Sequence, residues 1–279
     1  MTACRDYGVR VLDQKDIADR NNVRFIGKGE RLLMLAHGFG CDQNVWRFMT
    51  PAFTSTYRVL LFDYVGSGHS RLSAFSVDRY SCLEGYAQDV LDICEAFDLQ
   101  DVSFIGHSVS GVVGLLAALE QPYRFRELVM LGPSPCYLNL PPDYQGGFSR
   151  EDLEQLMDLM DKNYIGWANY LAPIVMGDDA PDELTGELSG SFCSTDPLVA
   201  RTFANATFFS DYRHILPRNR HPTLLLQGRS DALANPSVGE YMYQNMPGSQ
   251  LVTLDTEGHC FHMSYPNKVS AEVLAFLSR

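Results

Sequence analysis

Residues 102–119 constrain this chain more than any other stretch. A short apolar strand signal, Val102 to Ile105, runs into Gly106-His107-Ser108-Val109-Ser110 and on into a Gly/Ala-rich helical pattern ending at Leu119. The junction sets a serine on a tight strand-to-helix corner. Small residues at 106 and 110 admit the strained backbone that lifts Ser108 Oγ out of the sheet, while the helix start behind it offers N–H groups and positive dipole to a developing oxyanion. That is the arrangement of a nucleophile elbow. The strict pattern is G-x-S-x-G, and here Ser110 replaces the last glycine; taken alone, Ser108 could instead cap a buried helix.

Chain order supplies independent support. A nucleophile on such an elbow needs a carboxylate and then a histidine further along, each just past the C-terminal end of a strand. Asp231 follows Thr223-Leu224-Leu225-Leu226-Gln227, and His259 follows Leu251-Val252-Thr253-Leu254-Asp255. Asp255 competes as the acid, but the continuously apolar run before Asp231 suits a central parallel strand, and a helix starts near Pro236. His262 competes as the base, alongside His37, His69, His107, His214 and His221. His259 is preferred because Gly258 frees the backbone immediately beyond the last strand. A further loop, His37-Gly38-Phe39-Gly40, follows the apolar strand Leu32 to Ala36. Glycines there let the chain turn back over the elbow, so the backbone amides of Phe39 and Val109 are assigned to an oxyanion hole.

Composition bounds the alternatives. With 279 residues, 46% of them apolar, the chain can bury one large core plus a smaller insertion. No run of about 18 apolar residues suggests a membrane span. Met1 to Arg20 carries mixed charge rather than an apolar leader, so a cytoplasmic location is expected. The 7 cysteines, odd in number and without C-x-x-C, indicate free thiols rather than a disulfide frame or zinc site. A net charge of −12 repels phosphate backbones, which argues against nucleic-acid binding. Gly66-Ser67-Gly68-His69-Ser70 resembles half of a dinucleotide fingerprint but lacks the third glycine and a long helix, and reads as a turn.

Elsewhere, apolar strands near 23–27, 32–36, 58–62, 102–105, 128–132, 223–227 and 250–255 interleave with helical runs near 43–49, 84–98, 109–121, 237–246 and 267–278. Such alternation predicts an α/β fold, a mostly parallel sheet with helices on both faces. On the run from Glu84, Val90, Ile93, Cys94 and Phe97 share one face, with Glu84, Asp92 and Glu95 placed away from it. Between Pro133 and Pro217 the strand signal vanishes. Helical segments near 149–162, 163–175, 181–193 and 196–208 take its place, the last with Asp196 as N-cap and Pro197 at its first position. The chain therefore divides into a core of residues 22–134 and 211–279 and a four-helix lid over 135–210. The lid's aromatic side chains point to a mainly apolar ligand.

The stretches 37–46, 61–70, 106–110, 132–139, 143–148, 192–197, 208–211 and 258–264 carry a closer resemblance. From about Asn22 to the C-terminus the chain resembles the RsbQ-like family of bacterial stress-regulatory hydrolases, whose plant relatives are the strigolactone and karrikin receptor hydrolases. Residues 1–21 lie outside that resemblance and are expected to form an N-terminal tail. The resemblance implies an α/β-hydrolase fold and Ser-His-Asp chemistry carried by Ser108, His259 and Asp231. It also implies a V-shaped lid over a hydrophobic cavity lined by Phe39, Tyr137, Phe148, Trp167 and Phe208. Ser110 and Phe261 depart from the bacterial pattern, where Gly and Pro are expected, so ligand choice does not transfer.

On this reading His259 takes the Ser108 proton as Ser108 attacks an ester or lactone carbonyl, and water releases the acyl-enzyme. No metal or organic cofactor is expected. A monomer or weak dimer is expected, and the resemblance implies a PAS-domain serine phosphatase as partner. Two alternatives stay open: a ligand-binding receptor with slow hydrolysis, and a metabolic carboxylesterase.

Overall fold

Central strands buried on both faces must be apolar along their whole length, and the runs found in the sequence form such strands. The computed structural model describes residues 12–279. Its sheet contains β1 (Arg24–Ile26), β2 (Arg31–Ala36), β3 (Tyr57–Leu61), β4 (Val102–His107), β5 (Phe125–Leu131), β6 (Thr223–Ser230) and β7 (Ser249–Glu257). They lie in the order β1-β3-β2-β4-β5-β6-β7. Only β1 runs antiparallel to its neighbour; the other pairings are parallel. Every residue of β4 is buried, as a strand at the centre of the sheet requires.

Among the described residues, the helices of seven residues or more are α1 (Gln14–Arg20), α2 (Leu83–Ala96), α3 (Val109–Glu120), α4 (Arg150–Lys162), α5 (Tyr164–Met176), α6 (Asp182–Ser194), α7 (Pro197–Phe208), α8 (Pro236–Asn245) and α9 (Pro266–Leu277). The run at 43–49 is a 3₁₀ turn over Gln43–Phe48. Four helices, α4 to α7, stand between β5 and β6, within a residue or two of the predicted segments. Asp196 caps α7 by accepting from the amides of Leu198 and Val199. The chain leaves and rejoins the core at one place: Cys136 and Asp211 form an antiparallel bridge, and the Tyr212 amide donates to the Pro135 carbonyl over 2.8 Å.

One region differs from the sequence expectation, and one stretch agrees with it. Of the predicted tail, residues 1–11 lie outside the described residues, but 14–20 form α1, packed on the core through Ile17. Arg20 at its last position reaches Asp92 at 2.8 Å and Asp89 at 3.4 Å, and Asn21 Nδ2 donates to the Asp63 carbonyl over 3.0 Å. Asp92 is correspondingly buried rather than turned away. Asp89 is fully buried and also accepts from Arg79 and the Tyr80 hydroxyl. The Gly66 to Ser70 stretch is a turn, as expected, pinned by the His69 amide donating to Asp63.

Candidate active site

All the parallel strands present their C-terminal ends to one side, and the loops there carry Ser108, Asp231 and His259. Ser108 joins β4 to α3 with φ 56° and ψ −126°, a conformation that L residues seldom adopt. Its amide donates to the Leu131 carbonyl over 2.7 Å, which fixes the corner against β5. The strain of the elbow is thus held by the neighbouring strand.

Asp231 stands just beyond β6 and His259 two residues beyond β7. The structure brings both to Ser108: His259 Nε2 lies 2.7 Å from Ser108 Oγ, and His259 Nδ1 lies 2.8 Å from Asp231 Oδ2. All three are buried. An ionised carboxylate can only accept, so Nδ1 carries the imidazole proton and Nε2 is left with a lone pair facing the serine hydroxyl. The other carboxylate oxygen of Asp231 accepts from the amides of Leu233 and Ala234, each at 2.9 Å. The competitors stand elsewhere: Asp255 is an exposed partner of Arg229 at 3.1 Å, and His262 is fully buried with its ring 4.2 Å from that of His107.

Val109 is the first residue of α3, so its N–H has no acceptor within the helix. The 37–40 loop passes directly over Ser108. A Cβ on Gly38 would lie 3.3 Å from Ser108 Cβ and 2.7 Å from His107 Nδ1. Ser110 Oγ fastens this loop by donating to the His37 carbonyl over 2.5 Å, and Tyr64 OH lies 3.0 Å from the same oxygen.

Around Ser108 is a chamber of about 20 Å³, lined among others by Phe39, Tyr137, Leu171, Phe192, Phe208 and Leu233. Tyr137 OH lies 3.3 Å from Ser108 Oγ. Of the five expected pocket residues, Phe39, Tyr137 and Phe208 face this chamber. Trp167 stands behind it, against Phe39 and Phe192 at ring distances of 6.1 and 5.2 Å. Phe148 lines a separate groove between α4 and α5. Leu171, Leu188 and Leu233 were missed because in sequence they look like ordinary core positions.

The flanking groups are uncharged at neutral pH. Burial, with help from His262 and His259, pushes the His107 imidazole well down, and burial followed by His259 takes His262 to about 3. Burial first, then Asp42 and Glu187, pushes the Cys41 thiol up to about 12. Burial likewise raises Cys260 and Tyr137. Both cysteines are therefore thiols packed in the wall, not thiolate nucleophiles.

One link was invisible in the sequence. The His259 amide donates to the Val175 carbonyl at the end of α5 over 2.7 Å. Gly258, at φ +77°, makes this approach feasible, since a Cβ there would fall 1.9 Å from the Met176 oxygen.

Known proteins agree with this architecture. Karrikin insensitive 2 receptor CA of Petunia hybrida is 39% identical over 91% of this chain and 94% of its own length. A strigolactone esterase of Arabidopsis thaliana is 36% identical over 96% of this chain and 98% of its own. The solved structure of a hydrolase from Oleispira antarctica is 53% identical, with a TM-score of 0.95, covering 98% of this chain and all of that one. Among the described residues, no helix is long and apolar enough to cross a membrane. The family model of the alpha/beta hydrolase fold matches residues 31–266, and this chain belongs to that family.

Proposed function

We propose that the protein is a serine hydrolase acting on a small hydrophobic ester or lactone. The observation that carries this reading is the chain of short hydrogen bonds from Ser108 through His259 to Asp231, at 2.7 and 2.8 Å. In the first half-reaction a bond forms between Ser108 Oγ and the acyl carbon. The serine proton passes to His259 Nε2, and the amides of Phe39 and Val109 receive the oxyanion. The bond from acyl carbon to alcohol oxygen then breaks, and His259 returns its proton to that oxygen. In the second half-reaction a water, deprotonated by His259, attacks the acyl carbon and Ser108 leaves with the proton. Asp231 holds the imidazole in the required tautomer throughout. The helices α4 to α7 serve as the lid that excludes bulk water.

The test is hydrolysis of p-nitrophenyl acetate with intact-mass detection of the acyl adduct, comparing unmodified protein with Ser108→Ala and His259→Ala. Both variants should lose at least ~10³-fold in kcat, with the adduct on unmodified protein alone. Equal rates in all three would overturn the reading.

A second role is favoured by the narrowness of the chamber, about 20 Å³ in a protein whose relatives include one named a receptor. In this role slow turnover reports ligand to a signalling partner. The sequence resemblance points to a PAS-domain serine phosphatase in an RsbQ-like stress response. Capture of such a phosphatase that depends on Ser108 would support it, and absence of binding between the purified proteins would overturn it.

A further inference from the structure

The chamber at Ser108 is much narrower than an ordinary ligand pocket. A buried water needs roughly 10 to 15 Å³ and ligand pockets run to roughly 300 Å³ or more. About 20 Å³ therefore holds a water or two, well short of the room an extended ester needs. On its outer side lies a second cavity, a groove of about 540 Å³ between α4 and α5, within the range of ligand sites. Leu156 and Leu159 of α4 form one bank, and Tyr170 and Ile174 of α5 the other.

The two cavities share part of one wall. Leu171, Phe208 and Leu233 line both, and all three are buried. They come from α5, the end of α7 and the loop after β6. Leu233 also donates its amide to Asp231 over 2.9 Å, so one side of the wall is built on the loop that carries the acid.

We propose that the groove is the outer half of the substrate site, and that Leu171, Phe208 and Leu233 form a gate whose opening joins it to the chamber. The inference rests on the hydrolase reading and names its substrate class: esters or lactones with the carbonyl at Ser108 and an extended apolar arm lying between α4 and α5. Short esters need only the chamber and a modest gate movement. Long ones depend on the groove as well.

Filling the groove should therefore discriminate by arm length. We would measure kcat/KM for p-nitrophenyl acetate and p-nitrophenyl decanoate on unmodified protein, Leu156→Trp and Gln155→Trp, with thermal melts to verify folding. Gln155 is an exposed groove position and tolerates a large side chain if Leu156 does not. The decanoate-to-acetate ratio should fall by at least about tenfold in a folded variant. An unchanged ratio in both, with acetate turnover still abolished by Ser108→Ala, would overturn the two-part site and leave the hydrolase reading intact. Failure of unmodified protein to turn over either ester through Ser108 would overturn both.

Discussion

The amide of His259 donates to the carbonyl of Val175 over 2.7 Å, so the loop bearing the imidazole hangs from the last turn of a helix in the insertion. Base and insertion are thereby one mechanical unit. Gly177 at the end of that helix and Gly258 beside the histidine press backbone to backbone, which a side chain on either would prevent.

Gly258→Ala tests that unit. The new methyl would meet the Met176 oxygen in a backbone conformation that already disfavours L residues, at a cost of about 2 kcal/mol or more. Urea unfolding should show the loss, and kcat on p-nitrophenyl acetate should fall with it as His259 moves. Unchanged values for both would show that the contact yields freely.

Asp231→Asn separates orientation from folding. The amide oxygen of the new side chain can still accept from Leu233 and Ala234, but its NH₂ would face His259 Nδ1 and favour the wrong tautomer. We expect kcat to fall ~10³ to 10⁴-fold with little change in the urea midpoint. A fall of less than tenfold would remove Asp231 from the orienting role.

Ser110→Ala removes the hydroxyl shared by the His37 carbonyl and Tyr64 OH. Leaving buried polar groups unpaired costs about 1 to 3 kcal/mol. Because the His37 loop leads to the Phe39 amide, kcat should drop more than KM changes. An equal change in both parameters would speak against a role for Ser110 in aligning the oxyanion donors.

Stability should decline in acid through His262. Its folded value of about 3 lies below the unfolded value near 6.5, so between these limits the unfolded chain binds a proton that the native protein does not. Stability is therefore full above about pH 6.5 and falls as pH drops toward 3, by about 1.4 kcal/mol per pH unit for this one group. Urea melts at pH 7 and pH 5 should show a shallower decline for His262→Leu than for unmodified protein. Parallel declines would exclude His262 as the source.

Much of the fold was legible because the central strands are buried on both faces and read as unbroken apolar runs. β5 begins at Phe125, earlier than expected, because Arg126 and Glu127 disguise its start; Glu127 is buried by pairing with Ser103 Oγ at 2.6 Å. Helix α1 escaped notice because its attachment to the core depends largely on Arg20 and Asn21, whose partners lie some forty to seventy residues away. The order of Ser108, Asp231 and His259 was readable because each lies one or two residues beyond the end of a strand. The wall between chamber and groove was not, since Leu171, Phe208 and Leu233 come from three separate segments and no periodicity connects them.

The bridge between Cys136 and Asp211 gives the four-helix insertion a narrow stem, its two chain ends emerging side by side from the scaffold. An appendage tethered in this way can be exchanged or redesigned without rethreading the sheet. The carbonyl of Val175 sets the boundary of that freedom: a replacement must still offer an acceptor to the amide of His259, or the base loses its anchor.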